Sequence, residues 1–282
     1  MGVRRRLGLL LRAKVAGDDA AERAQHIWGK PGERWFSRDD PIWRVHKDAS
    51  MFVGGITALL LQSLHPLAMA GVAGHSGYRS DPWGRLQRTG HYLAVTTYGT
   101  IPDAEAAIAR VRAVHQRVRG RDPHGRAYHA SDPHLLSWVH LAEADSFLRA
   151  HQAFGAVALS SAEADTYVAQ AAVPARFLGV PDPPESVADL AGQLATFRPE
   201  LQASPAARDT AQFLLSDPPL PRLARPGYAA LAAGALSLLP PWARAELQLP
   251  LSDRLTETIG RPLGRFSVGV VRWALSSVPD GR

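Results

Sequence analysis

The residues DPWGRLQRTGHYLAVTTYG (81–99) decide the fold class, because they mark both ends of a helix. Asp81 is a good N-cap, since its carboxylate accepts a hydrogen bond from the free N–H groups of the first turn. Pro82 suits the first helical position, where no N–H is needed, and Gly99 is a common stop. The stretch therefore predicts a helix that begins at Pro82 and ends at Tyr98.

The same Asp-Pro signal recurs at Asp132-Pro133 and predicts a long helix that ends near Ala156. Between these helices, residues 103–119 show helical spacing of apolar side chains, and the polar residues 121–131 indicate a short hairpin. The other predicted elements are a buried core helix over 50–64, a restart at Pro66, a glycine-rich loop over 71–80 and shorter helices over 161–177, 186–196, 205–215, 228–239, 242–247, 252–259 and 266–275.

Helical periodicity recurs along the whole chain, whereas the alternating pattern of strands is scarce. We therefore predict an all-α fold, with a single multi-helix domain over 41–282 and an N-terminal amphipathic extension over 1–40. In that extension, residues 4–12 (RRRLGLLLR) have too short an apolar run for a signal peptide. They indicate either a solvated helix or a peripheral contact with an anionic membrane surface. A cytoplasmic location is expected.

The composition excludes several classes of site. The chain has no cysteine, so disulfides, iron–sulfur clusters and thiolate ligands to haem or zinc are excluded. The formal net charge is +6, but the arginines are spread along the chain and form no stripe interleaved with aromatic residues. Nucleic-acid binding is therefore not expected, and any metal must be held by histidine, carboxylate or hydroxyl groups.

Nine of the eleven histidines lie between His65 and His151. This segment holds no HExxH or HxH motif, so a zinc hydrolase is not indicated. His124, His129 and His134 belong to the polar stretch and are expected in solvent rather than on a metal. His65 stands at a proline break, where it caps a helix or lines a pocket.

His115 follows Val111 by four residues and precedes Val118 by three, so it shares their apolar helix face. Such a histidine is either a neutral core residue or a metal ligand. A neutral imidazole on a packed helix is what the proximal side of a five-coordinate haem iron requires. His140, beside Val139, also lies near an apolar face and is either a core residue or a partner of the cofactor site.

On the 81–99 helix, Arg85 and Thr89 are four residues apart and Arg88 lies beside them, so the three side chains share one face. They form either a solvated arginine surface or the distal side of a cofactor. In the second case an arginine stabilises negative charge on bound oxygen or pairs with a propionate, and Thr89 donates a hydrogen bond.

Five segments together resemble those of one known family. They are LLQSLHP (60–66), HSGYRSDPWGRL (75–86), VRAVHQRVRG (111–120), DPHLLSWVH (132–140) and LLPPWAR (238–244). In this order they resemble the domain shared by the MpaB-type oxygenases and the latex-clearing rubber oxygenases, over residues 42–251. The resemblance implies a mainly helical fold around a buried b-type haem, with His115 as the iron ligand and Arg85 and Thr89 near the distal side. It also implies cleavage of isoprenoid double bonds with molecular oxygen.

Two positions depart from the pattern of the rubber oxygenases. Arg88 stands where latex-clearing proteins carry a lysine as a sixth iron ligand, and arginine is a very poor ligand. Met69 and Ala70 stand near the place of a carboxylate proposed as a base, and no acid is found there.

The expected function is thus a haem b-dependent oxygenase that acts on a small apolar substrate, of isoprenoid or lipid type, with molecular oxygen. In this hypothesis Arg88 holds a propionate, and His140 supports the site from beside it. The alternatives are a non-catalytic haem- or lipid-binding protein of the same fold and a metal-free helical scaffold.

Overall fold

The computed structural model describes residues 2–17, 20–75, 77, 80–249 and 252–278. About 72% of the chain is helical, which confirms the all-α prediction. The helices are α1 (Val3–Ala16), α2 (Ala20–Gly29), α3 (Pro41–Lys47), α4 (Met51–Gln62), α5 (Pro66–His75), α6 (Pro82–Tyr98), α7 (Ile101–His115), α8 (Pro133–Phe154), α9 (Ser161–Leu178), α10 (Val187–Phe197), α11 (Pro205–Ser216), α12 (Arg225–Leu238), α13 (Pro241–Glu246), α14 (Asp253–Leu255) and α15 (Arg261–Leu275).

Short elements complete the described fold. The strands β1 (Arg119–Arg121) and β2 (Ala127–His129) pair as an antiparallel hairpin, as predicted for this region. Single turns of 3₁₀ helix lie at Arg198–Glu200 and Arg222–Ala224, and a π-helical turn at Thr256–Gly260 joins α14 to α15.

The core centres on α4 and α8, which pack along each other. Leu60 on α4 and Trp138 on α8 are fully buried. The Nε1 atom of Trp138 donates a hydrogen bond to the carbonyl of Gln62 at 3.1 Å and ties the two helices together. Gly54 permits a close approach, because a β-carbon there would stand only 3.0 Å from the ring of Phe147.

The first two helices pack onto the same protein body. Ile27 on α2 is buried in the core, and Trp28 stacks on Tyr98 with the ring centroids 4.7 Å apart. Helix α1 lies along α15, where the Nε atom of Arg4 donates a hydrogen bond to the carbonyl of Trp273 at 2.8 Å.

The predicted loop over 71–80 is wrong in its first half, because α5 continues to His75. Gly71 and Gly74 lie one turn apart against Tyr128 of the hairpin. β-Carbons at these glycines would stand 3.7 and 3.1 Å from that side chain. The glycines therefore allow a helix to contact the hairpin instead of forming a loop. Residues 76, 78 and 79 of the predicted loop lie outside the described residues.

The predicted helix over 103–119 is shifted toward the N-terminus. Helix α7 begins two residues earlier, because Pro102 fits the first turn of a helix. Asp103 lies inside that turn, where its Oδ2 accepts a hydrogen bond from the hydroxyl of Thr100 at 2.8 Å. The helix ends at His115, since Arg119 and its neighbours pair with β2.

Among the helices of the described ranges, none is by itself long and apolar enough to span a membrane. Helices α4 and α5 reach that length and composition only as a pair, and they are bent by 108°.

Candidate active site

Helices α6 and α7 form a helical hairpin, since two residues separate them and they pack against each other. Burial lowers the pKa of His91 on α6, and the charges of Arg23 and of Arg110 on α7 lower it further. His91 and Arg110 therefore lie close together. His115 on α7 and Arg85 on α6 each lie five or six residues further from the connection. The hairpin thus brings the predicted iron ligand and the predicted distal arginine to the same end.

Arg88 and Thr89, the other predicted site residues of α6, lie in the N-terminal half of this helix. The Oδ1 atom of Asp81 accepts the N–H of Gly84 at 2.9 Å, and its Oδ2 accepts a hydrogen bond from Nη1 of Arg88 at 3.0 Å. Arg88 and Thr89 are exposed, whereas Arg85 is half-buried. Arg88 is therefore paired with the helix cap, and Arg85 is the more enclosed of the two cations.

His115 is the last residue of α7 and is half-buried. Burial lowers the pKa of its imidazole, and the neighbouring His129 on β2 lowers it further. Neutral imidazole is the form that binds a metal, since the proton and the metal compete for the same lone pair. His115 thus has the protonation state of an iron ligand at neutral pH.

The C-terminal end of α9 connects His140 to this region. Arg112 lies one turn before His115, and its Nη1 donates a hydrogen bond to the carbonyl of Phe177 at 3.5 Å. Burial lowers the pKa of His140 to about 4, and the charge of the neighbouring Arg176 contributes to the shift. The Nε2 atom of His140 is buried and has no hydrogen-bond partner among the described residues.

Glu143, which the sequence does not single out, lies three residues after His140 on the same side of α8. Burial raises the pKa of Glu143 from 4.5 to about 7. Burial also raises the pKa values of Tyr92 on α6 and Tyr167 on α9, and the charge of Glu143 adds to both shifts. Glu143 still keeps part of its surface accessible. Glu143 therefore lies deep in the protein, close to side chains of α6 and α9.

His46 on α3 adjoins the same interior region. Its ring centroid lies 5.9 Å from that of Tyr167, and its Nδ1 lies 2.8 Å from the hydroxyl of Thr97. Burial lowers the pKa of His46 to about 3. The Nε2 of His46 and the hydroxyl of Tyr167 are buried without a hydrogen-bond partner in the described part of the chain.

We call these five residues the interior polar cluster: His46, Tyr92, His140, Glu143 and Tyr167. Buried polar atoms are hydrogen-bonded in most proteins. Three unpartnered atoms in one region of the interior, among the described residues, therefore indicate a place for water or for a bound molecule.

The three histidines that were expected in solvent differ from one another. His124 is exposed, and His129 is half-buried, with its Nδ1 accepting the N–H of Ser131 at 3.3 Å. His134 is exposed on one side, but its Nε2 lies 2.8 Å from Oε2 of Glu200. His134 is exposed as expected, but the sequence did not predict its contact with Glu200, because Glu200 is distant in sequence.

The residues at the hairpin end fit haem b in chemical type. His115 offers a neutral nitrogen donor, and Arg85 offers a half-enclosed positive charge at the same end of the hairpin. His140, on α8, has a buried Nε2 without a hydrogen-bond partner in the described ranges. A single imidazole ligand with cationic and hydrogen-bonding neighbours is one of the established ways in which proteins hold haem.

Comparison with known proteins identifies the family. The catalytic domain described as "ER-bound oxygenase mpaB/B'/Rubber oxygenase" matches residues 43–273, which is most of the chain. Neither the curated proteins nor the solved structures gave a significant match. The matched range contains α4 to α13, the helical hairpin and the interior polar cluster. The chain therefore belongs to the family of mpaB-type and rubber oxygenase catalytic domains.

Proposed function

We propose that the protein is a haem b-dependent oxygenase that acts on a small apolar substrate, of isoprenoid or lipid type, together with molecular oxygen. The observation that supports the proposal is the end of the α6–α7 hairpin, which carries neutral His115 and half-buried Arg85 in a member of an oxygenase family. Because the chain has no cysteine, a thiolate cannot ligate the iron, and a histidine nitrogen is the expected ligand.

In this proposal His115 holds the iron, and bound haem supplies the capacity to activate molecular oxygen. Arg85 provides a positive charge that is less screened than an exposed one and stabilises negative charge near the oxygen. Thr89, one turn further on the same helix face, donates a hydrogen bond. Arg88 has five N–H donors, so its bond to Asp81 leaves others to pair with a propionate.

The interior polar cluster supplies the acid–base groups. Met69 is 2% exposed, and its sulfur lies 4.0 Å from the hydroxyl of Thr210, so the position expected for an upstream base carries none. We assign proton transfer to Glu143 instead, because a pKa of about 7 allows it to hold or release a proton at neutral pH. His140 positions the bound molecule through its unpartnered Nε2.

The experiment is the absorption spectrum of the purified protein after reconstitution with haem. We expect a Soret band that is lost or strongly shifted in His115→Ala. The band should be unchanged in His124→Ala, which removes an exposed histidine between β1 and β2. Full haem content with an unchanged spectrum in His115→Ala would contradict the assignment of the ligand.

A second candidate is a non-catalytic haem- or lipid-binding protein of the same fold, which is favoured because the buried Met69 stands where an acid would be expected. Oxygen consumption by the haem-loaded protein with a panel of isoprenoids separates the two. Uptake that falls in Glu143→Gln while the Soret band is kept supports the oxygenase. The absence of uptake with every substrate supports the binding protein.

A further inference from the structure

A second group of chemically active side chains lies away from the candidate active site. His65 follows α4, His134 lies in the first turn of α8, and Glu200 ends the 3₁₀ turn after α10. The Nε2 of His134 lies 2.8 Å from Oε2 of Glu200, and the Nε2 of His65 lies 3.4 Å from the same oxygen. The three ligand atoms all lie within 4.8 Å of one another.

The protein scaffold holds these three side chains in place. The carboxylate of Asp132 accepts the N–H of His134 at 2.9 Å, and the ring of His134 stacks on Phe197 with the centroids 4.5 Å apart. The N–H of Gln202 donates to the carbonyl of Leu64 at 2.9 Å, which ties the segment of Glu200 to that of His65. These contacts hold His65, His134 and Glu200 next to one another.

His65 gives the second indication of a ligand. It is 2% exposed, yet its Nε2 is buried without a hydrogen-bond partner among the described residues and points toward Glu200. Its Nδ1 accepts only a long hydrogen bond, from the N–H of Ala68 at 3.5 Å, so this contact holds the ring weakly. The unpartnered Nε2 is the ring atom available to an ion.

We propose that His65, His134 and Glu200 form a Zn²⁺ site with a fourth position open to water. Two donors at about 2.0–2.1 Å from a tetrahedral zinc lie about 3.3 Å from each other. The observed separations of 2.8 and 3.4 Å, with all three donors within 4.8 Å, require only small side-chain movements to reach that geometry. Two imidazoles and one carboxylate are a ligand set that zinc uses. Both His134 and Glu200 are partly exposed, so the ion and a water molecule have access from solvent.

Titration of the full-length, haem-loaded protein with Zn²⁺, followed by calorimetry, tests this site. We expect one high-affinity ion per chain and a loss of at least about tenfold in affinity in both His134→Ala and Glu200→Gln. His124→Ala is the matched control and is expected to bind like the wild type. If wild-type protein binds no zinc, or if both variants bind it unchanged, the three residues form only a hydrogen-bonded group.

An independent observation concerns the outer face of α15. Large apolar side chains spaced by three or four residues are exposed there, namely Leu263 40%, Phe266 70%, Val270 37% and Trp273 49%, and Ile259 of the preceding π-helical turn, 50% exposed, extends the row. The opposite face of the helix packs against α12, where a β-carbon on Gly264 would stand 2.7 Å from the α-carbon of Gly234. The exposed stripe is therefore a true outer surface and not a loosely packed core.

Positive charge surrounds this apolar stripe. Helix α1 packs beside it, with the guanidinium of Arg4 5.3 Å from the ring centroid of Trp273. Arg5 and Arg6 on α1 and Arg265 on α15 are exposed. Leu10 on α1 is 65% exposed and extends the apolar area. Exposed apolar and aromatic side chains flanked by arginine are typical of helices that lie in a membrane interface.

We infer that the joint face of α1 and α15 binds an anionic lipid surface. Anionic headgroups complement the arginines, whereas a second copy of this face would bring like charges together. Such a surface would also be a source of apolar molecules. The inference rests on the exposed side chains and does not require the proposed reaction.

Co-sedimentation of the full-length protein with phosphatidylglycerol/phosphatidylcholine vesicles tests the surface. We expect binding that weakens about thirtyfold in an Arg5→Gln/Arg6→Gln variant and is lost in Phe266→Ser/Trp273→Ser. Leu223→Ser is the control, because Leu223 is 99% exposed in a different segment. Lack of vesicle binding by the wild type, or a dimer in light scattering that Phe266→Ser/Trp273→Ser makes monomeric, would overturn the inference.

Discussion

Two groups of histidines occupy different environments in this protein. His115 and His140 lie near the hairpin end, where burial lowers their pKa values and no described carboxylate binds them. His65 and His134 lie instead against one carboxylate, that of Glu200. For His65, burial again lowers the pKa, but Glu200 opposes the shift.

The difference shows how neighbours set the chemistry of the same side chain. A neutral imidazole in an apolar, cation-lined place suits the iron of a haem, which brings its own four nitrogen donors. Imidazoles that share a carboxylate suit a bare divalent ion, which must find its ligands and its charge balance in the protein. Clustering of histidines in the sequence does not distinguish these environments.

The largest stability effect is expected at Glu143, three residues after His140 on α8. The pKa of Glu143 is raised from 4.5 to about 7, so folding favours the protonated form. This stabilisation is complete below pH 4.5 and is lost as the pH rises through 7. Glu143→Gln should therefore be more stable than the wild type at pH 8, by up to roughly 3 kcal/mol, with little difference at pH 4.5.

Chemical unfolding of both proteins across this pH range checks the effect. Glu105→Gln is the control, because Glu105 is exposed on α7. A constant difference between wild type and Glu143→Gln at all pH values would show that Glu143 does not hold its proton in the fold.

An intermediate effect of opposite sign is expected at His140. Its pKa is lowered from 6.5 to about 4, so the unfolded chain binds a proton before the folded one does. Stability is therefore present above pH 6.5 and is lost as the pH falls toward 4. Between pH 7 and 5 the wild type should lose about 2 kcal/mol more than His140→Gln. His46 is retained in both proteins, so the difference isolates His140; equal acid losses would contradict its burial as a neutral group.

The smallest effect is expected at His134, which pairs with Glu200 at the surface. An exposed ion pair contributes below about 1 kcal/mol, so His134→Ala should change the metal-free unfolding free energy by no more than that. With zinc added, the wild type should become more stable while His134→Ala should not. A large loss without metal would instead give this pair a structural role.

The sequence allowed the fold to be predicted where helix ends are marked by local chemistry. Asp81 and Asp132 do accept hydrogen bonds from the first turns of α6 and α8, and Ser160 begins α9 with a capping box. The prediction is wrong where a contact between residues distant in sequence determines the local structure. Gly74 belongs to a helix because Tyr128 packs against it, and no local pattern contains that contact.

In the candidate site, too, local signals could be read from the sequence and contacts between distant residues could not. Helical spacing and the family resemblance were sufficient to select His115 and Arg85, which the hairpin then brings to one end. Glu143 could be predicted only as a polar residue on the side of α8 that bears His140, since its raised pKa depends on burial that only the fold provides. Glu200 is 66 residues from His134, and only the fold joins them.

The separation of the two histidine groups is tested by comparing haem binding of His115→Ala and His134→Ala, each reconstituted with haem under the same conditions. We expect His115→Ala to lose the Soret band of the wild type and His134→Ala to keep its full intensity and position. An unchanged band in His115→Ala, or an equal loss in both variants, would contradict the separation of the two histidine groups.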